Sequence, residues 1–159
     1  MKSVLFLCTG NYYRSRFAEE LFNYRVEHSE LGWVATSRGL AIERGVFNVG
    51  ALSPYAKRGL AELGIVPRGA TRRPLPCTTT DLETASHIVA LNEAEHRPLL
   101  RERFPKWANR IEFWAIDDID LLSPALALET IAAQVEELIT KFRTTRHPPD
   151  GRAAIAARR

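Results

Sequence analysis

Residues 4–22 read "VLFLCTGNYYRSRFAEELF", and this stretch decides the architecture. Its start, Val4 to Leu7, is an unbroken apolar run, the pattern of a strand buried on both faces. Its end sets Phe17, Ala18, Leu21 and Phe22 on one face at helical spacing, a face that extends to Tyr24. Between them lies a short loop carrying Cys8, Gly10, Asn11, Arg14 and Ser15. A buried strand feeding a helix through a tight polar loop is the opening unit of a parallel α/β sheet.

Working outward, the alternation repeats. "GWVATS" (32–37) is a second strand. Ser53 and Pro54 form an N-cap and first helical position, Ala56, Leu60 and Leu63 a buried face, and Gly64 a stop. "HIVAL" (87–91) is a third, short buried strand, followed by a charged helix from about Glu93 to Arg103. "RIEFWAI" (110–116) is a fourth strand. Ser123 and Pro124 repeat the capping device, and Leu128, Ile131, Val135, Leu138 and Phe142 mark a long amphipathic helix. The predicted fold is a single-domain α/β protein: a four-stranded parallel sheet with helices on both faces. In such sheets ligands sit outside the carboxyl ends of the strands. The Cys8 loop follows the first strand and Asp117 to Asp120 follow the fourth, so both fall on that edge.

Composition narrows the classes. With 45% apolar and 26% charged residues, the 159-residue chain is an ordinary globular sequence. No segment is apolar for long enough to span a membrane, and the N-terminus has no signal-peptide pattern. Cys8 and Cys77 make no disulfide framework, so a reducing, cytoplasmic setting is expected. Six of the 22 basic residues and one of the 19 acidic ones lie between Lys141 and Arg159. The rest of the chain therefore carries 16 basic against 18 acidic residues, and the high pI belongs to the end. That end lacks interleaved aromatics and an amphipathic register. The reading is a catalytic domain over residues 1–142 and a basic, flexible tail over 143–159, with no nucleic-acid or membrane partner. His28, His87, His96 and His147 lack metal-ligand spacing, so no metal is expected. Cys77, in "PLPCTTTDL", reads as a small packed apolar residue.

The loop itself can bind an anion. It leads into a helix N-terminus, where free N–H groups and the helix dipole favour negative charge. Gly10 permits close backbone approach, and Asn11 tolerates a left-handed turn while holding the loop by hydrogen bonds. Arg14 offers a planar fork for two phosphate oxygens. Ser15 can donate toward the cysteine sulfur. The same positive field favours thiolate at Cys8, and a thiolate beneath a bound phosphate is a nucleophile aimed at phosphorus.

At these residues the chain resembles the low-molecular-weight protein tyrosine phosphatase family. The signature C-x5-R-S, commonly C-x-G-N-x-C-R-S-P, reads here Cys8-Thr9-Gly10-Asn11-Tyr12-Tyr13-Arg14-Ser15-Arg16. The resemblance extends to "TSRG", "FNVGALSP" and "FWAIDDID" and covers residues 2 to 142. Tyr13 stands where the family often has a second cysteine, Arg16 where it has proline, and Asp118-Ile119-Asp120-Leu121 where it has an Asp-Pro loop. The resemblance implies Cys8 as nucleophile and residues Thr9 to Ser15 as the phosphate-binding loop, with Arg14 holding the phosphoryl oxygens. It also implies hydrolysis through a phosphocysteine without a cofactor.

Expelling an aryl oxide needs a proton donor at the leaving oxygen. Register against Trp114 and Ile116 puts Asp118 at the family's acid position, with Asp120 as the alternative and Asp117 last. By the same resemblance Phe47 is an aromatic wall of the substrate pocket, and Tyr12 is a second wall inside the loop. Two flat walls suit phosphotyrosine-like aryl phosphates, on a phosphorylated protein or a small molecule. A bulky Tyr12 should crowd phosphoarginine. Two other readings are a thiol-dependent arsenate reductase of the same fold and a non-catalytic phosphopeptide-binding module. "HIVALNEAEHRPLL" lacks the cysteine pair the reductase needs, and the binding module would need neither Cys8 nor an acid.

Overall fold

The computed structural model describes residues 1–146. Strand β1 (Lys2–Cys8) lies at the centre, its last five residues buried. Neighbours on both sides and helices on both faces explain its unbroken apolar run. Strands β2 (Trp33–Gly39) and β3 (His87–Ala90) pair with it in parallel. Strand β4 (Glu112–Phe113) pairs in parallel with β3, giving the order β2-β1-β3-β4. The chain turns to one side of β1 for β2 and returns to the other for β3. The carboxyl end of β1 is therefore the topological switch point, where such sheets bind ligands.

Two cores flank the sheet. Val4, Phe6 and Cys8 point to one face, into a cluster with α1 (Arg14–Val26), α2 (Pro54–Glu62) and α5 (Pro124–Arg146). Leu5 and Leu7 point to the other, packing with Leu82 of α3 (Thr79–Thr84), Leu99 and Leu100 of α4 (Glu93–Arg103), and Cys77. The two cysteines thus lie on opposite faces of the sheet.

The expected elements form, with five differences. The fourth strand is shorter than residues 110–116: only Glu112 and Phe113 make ladder, because β3, the one strand it pairs with, is itself only His87–Ala90 and pairs through Val89 and Ala90. Trp114 and Ile116 still donate to Ala90 and Leu91 carbonyls, which keeps the chain on β3 and aims the next loop at the switch point. Helix α3 was not expected; it is one turn and a half started by a capping box between Thr78 and Asp81. Tyr24 is 45% exposed, so the buried face of α1 ends on Val26 instead, and Leu63, exposed at the C-cap of α2, likewise leaves that helix's buried face to Ala56 and Leu60. Helix α5 continues to Arg146, four residues past the expected domain limit. The expected tail from residue 147 onward lies outside the described residues. No helix among the described residues is long and apolar enough to cross a membrane.

Candidate active site

The loop after β1 is organised around one left-handed residue. Asn11 has φ +49°, the single positive φ among the described non-glycine residues. Its fully buried amide holds that conformation from both ends. Nδ2 donates to Ser15 Oγ (3.0 Å) and Ser37 Oγ (2.9 Å), while Oδ1 accepts from Arg72 Nη1 (3.1 Å) and Leu75 N (3.0 Å). The left-handed turn expected of Asn11 is thus present, and the close approach expected of Gly10 is not. A Cβ on Gly10 would meet nothing closer than Asn48 Nδ2 at 3.4 Å. The glycine that close approach does require is Gly39, opposite Cys8 in the ladder: its Cβ would lie 2.9 Å from Thr9 O and 3.1 Å from Asn11 Cβ.

Cys8 Sγ lies 2.9 Å from Ser15 Oγ. Because Asn11 donates to that hydroxyl oxygen, the Ser15 hydrogen is free to point at sulfur. Tyr13 occupies the N-cap of α1 and gives no side-chain acceptor. Among the described residues no acceptor takes the backbone N–H groups of residues 10–15. Unpaired donors at a helix start, curled over a sulfur, form an anion cradle.

Arg14 is almost fully buried and held in plane. Nη1 donates to Glu95 Oε2 (2.8 Å) and Ile116 O (2.9 Å), and Nη2 to Glu95 Oε1 (2.8 Å). Asp118 Oδ2 lies 3.5 Å from Nη2. This leaves the Nε–H edge and the outer Nη2–H for an oxyanion. Burial alone would lower the guanidinium; hydrogen bonding to Glu95, with the charges of Cys8, Glu95 and Asp118, raises it above its ordinary value. Glu95 is itself fixed. Thr9 Oγ1 donates to Oε1 (2.5 Å) and accepts from His96 Nε2 (3.1 Å). Asn92 N donates to His96 Nδ1, so the ring proton sits on Nε2. Burial, opposed by the bond to Glu95, holds His96 below its usual range and hence neutral. Burial pushes the Glu95 carboxyl up, but hydrogen bonds from His96, Arg14 and Thr9 and the charge of Arg14 outweigh it, leaving it well below the carboxylate range.

A cavity of about 270 Å³ opens above Cys8, walled by Tyr12, Tyr13 and Tyr55, with Asn48, Arg44 and Asp118 at its mouth. Tyr12 is pinned by its hydroxyl to Val49 O (2.6 Å). Phe47 does not line the cavity. It is 93% exposed, because Gly45 and Asn48 turn the loop so that Asn48, not its neighbour, faces inward. Tyr55, at the second position of α2, supplies the aromatic surface instead. Of the three aspartates after β4, only Asp118 lines the cavity; Ile119 N donates to its Oδ1 (2.9 Å). Asp117 accepts from Asn92 Nδ2 (3.0 Å), and Asp120 is exposed away from the pocket.

The sequence matches the family model described as low molecular weight phosphotyrosine protein phosphatase over residues 3–144. The chain belongs to this family. Among solved structures, this low-molecular-weight phosphatase is similar to YfkJ from Bacillus subtilis, at 23% identity over 92% of this chain and 98% of that one, with TM-score 0.77. It is similar to YwlE arginine phosphatase from Geobacillus stearothermophilus, at 24% identity over 94% and 99%, TM-score 0.73. Vibrio vulnificus Wzb, solved with benzylphosphonate, matches at 16% identity over 88% and 98%, TM-score 0.73. No curated protein matches in sequence.

Arg16 replaces the proline of the family signature, and the phosphatase uses it as a strap. Fully buried, it donates to Asn11 O (3.3 Å) and Ala51 O (3.0 Å) through Nη1 and to Gly69 O (2.8 Å) through Nη2. Glu20 completes the tie by accepting from Arg68 N and Gly69 N. The loop after β1, the segment before α2 and the segment before α3 thus hang from two adjacent turns of α1.

Sequence reading missed Glu95. Asn92-x-x-Glu95 at a helix start reads as a capping box, and Asn92 does cap Glu95 N. The carboxylate, however, goes to Arg14, and His96 takes the Asn92 N–H in its place. Glu95→Gln keeps the shape but removes the charge that aims the fork. Because a misplacement of about 1 Å can cost about 10²-fold, turnover is expected to fall by about that factor while the fold persists near neutral pH. Stability carries a second signature. The folded carboxyl lies below its unfolded value of about 4.3, so its contribution is complete above that value and is lost as pH falls through the folded one. The melting-temperature gap between wild type and Glu95→Gln should close on acidification below about pH 4.3. A gap unchanged across that range refutes the charged pairing.

Proposed function

We propose that this phosphatase hydrolyses phosphotyrosine-like aryl phosphate monoesters through a phosphocysteine. The observation that carries the reading is that one cavity is lined by Cys8, by Arg14 and loop residues whose N–H groups are unpaired among the described residues, and by three tyrosines. The phosphoryl group settles in the cradle, its oxygens on the loop N–H groups and Arg14. It displaces Asp118 from Nη2, and the freed carboxylate takes up a proton from water and turns to the ester oxygen. Cys8 sulfur attacks phosphorus, the P–O bond to the aryl group breaks, and Asp118 gives its proton to the departing oxygen. Water then attacks the phosphocysteine, Asp118 takes its proton, and inorganic phosphate leaves with the thiolate restored. Arg14 and the helix start supply the positive charge, so the scheme needs no metal or organic cofactor. Two unpaired cysteines suit a reducing compartment such as the cytoplasm.

Aryl over guanidino substrates is favoured by Tyr12, a bulky ring that lines the cavity with its hydroxyl held on Val49 O. The reductase reading lacks its relay: Cys77 is on the far face of the sheet, and burial, with Asp81, pushes its thiol up to about 12. The test compares a phosphotyrosine peptide, a phosphoarginine peptide and arsenate plus thiol reductant, all without added metal. The expected result is turnover of the first alone. Preference for phosphoarginine would overturn the substrate class, and arsenate reduction would overturn the reaction.

A further inference from the structure

Tyr13 carries a buried hydroxyl that has no hydrogen-bond partner among the described residues. The residue is only 7% exposed, its ring packed edge-to-face on Tyr55 with centroids 6.4 Å apart, and it lines the same cavity as Asp118. An unpaired buried hydroxyl costs stability that phenylalanine would keep with the same ring. Burial pushes the phenol up to about 12, and among charged groups Asp118 adds most to that shift. The group therefore keeps its proton and can only be useful as a donor. The matching acceptor lines the same cavity. Asp118 Oδ1 is bound by Ile119 N, but Oδ2 has only the 3.5 Å approach to Arg14, the contact a bound phosphoryl group takes over. Substrate thus strips Asp118 of a partner in the cavity that holds a donor lacking one.

We propose that Tyr13 is a positioning residue for the proton donor: its hydroxyl hydrogen-bonds one oxygen of Asp118 once that carboxyl leaves Arg14. The other oxygen then faces the ester oxygen. The inference rests on the phosphatase reading above and adds a residue to it. A family cysteine at this place carries no phenolic hydroxyl, so the device belongs to this sequence.

Tyr13→Phe isolates the hydroxyl without changing the packing. The bond strengthens as Asp118 gives up its proton and its oxygen gains charge, so removing it should lower phosphotyrosine turnover about tenfold or more. The loss should shrink for p-nitrophenyl phosphate, whose leaving group needs little protonation, and the variant should melt higher than wild type. In an Asp118→Asn background the same change should cost nothing further. Kinetics equal to wild type, an equal loss on both substrates, or a further loss in the Asp118→Asn background each overturn the inference. If wild type itself fails to turn over phosphotyrosine, or Asp118→Asn shows no leaving-group dependence, the parent reading falls instead.

Discussion

Cys8→Ser abolishes turnover while inorganic phosphate still binds: this is the expected result of removing sulfur from a cradle made of other atoms. The donors around the anion are the backbone N–H groups of residues 10–15 and the outer edge of Arg14, and none depends on the side chain at position 8. Serine also preserves the neighbour relation to Ser15 Oγ. Phosphate titration by calorimetry and steady-state turnover are the two measurements. Turnover near the wild-type rate removes Cys8 from the chemistry. Loss of phosphate binding shows that the cradle is not where the loop N–H groups point. Arg14→Lys should be nearly as damaging as Cys8→Ser, because an ammonium cannot satisfy Glu95 at two oxygens and an oxyanion at the same time.

Asp118→Asn should slow phosphotyrosine turnover by about 10²–10⁴-fold, the usual cost of a lost general acid. That penalty should diminish along a series of aryl phosphates with better leaving groups, since a stable aryl oxide departs without a proton. Asp120→Asn should shift every substrate by one small factor, because Asp120 lies outside the cavity wall. A plot of log kcat against leaving-group acidity for both variants decides the matter. A steep slope in the Asp120 variant exchanges the roles of the two carboxylates. Flat slopes in both remove the loop after β4 from proton transfer.

The strand-loop-helix opening was legible because everything that makes it is local: an apolar run, a helical face and polar residues between. The sheet and its two helical layers followed from the same periodicity. What escaped was set by partners distant in sequence. Glu95 meets Arg14 from 81 residues away, and nothing in "NEAEH" says that its carboxylate will abandon the cap. The strap role of Arg16 depends on Ala51 and Gly69, each brought near by the fold. Phe47 was assigned by likeness to a family motif, whereas its direction depends on a turn whose path periodicity does not describe. Helix α3 buries one residue, Leu82, too little for an apolar pattern, although its Thr78-Asp81 box was readable. The fourth strand was drawn too long because Trp114 and Ile116 are apolar and buried, yet hydrogen bonding to β3 carries them without a regular ladder.

The placement of the two cysteines on opposite faces of the sheet has a consequence for the lifetime of the enzyme under peroxide. A catalytic thiol oxidised to sulfenic acid survives if a second thiol condenses with it, and the mixed disulfide is later reduced. Here the adjacent loop position is Tyr13, and Cys77 is shut away behind β1 with a thiol that stays protonated. Oxidation of Cys8 is expected to run on to the sulfinic acid, so that dithiothreitol fails to restore activity and the Cys8 peptide gains two oxygens in the mass spectrum. An efficient Cys8–Cys77 disulfide would refute this. Phosphate, by covering the sulfur, should slow the damage. The protein would then behave as a fuse, spent once, whose activity after an oxidative episode returns only as fast as new chain is made.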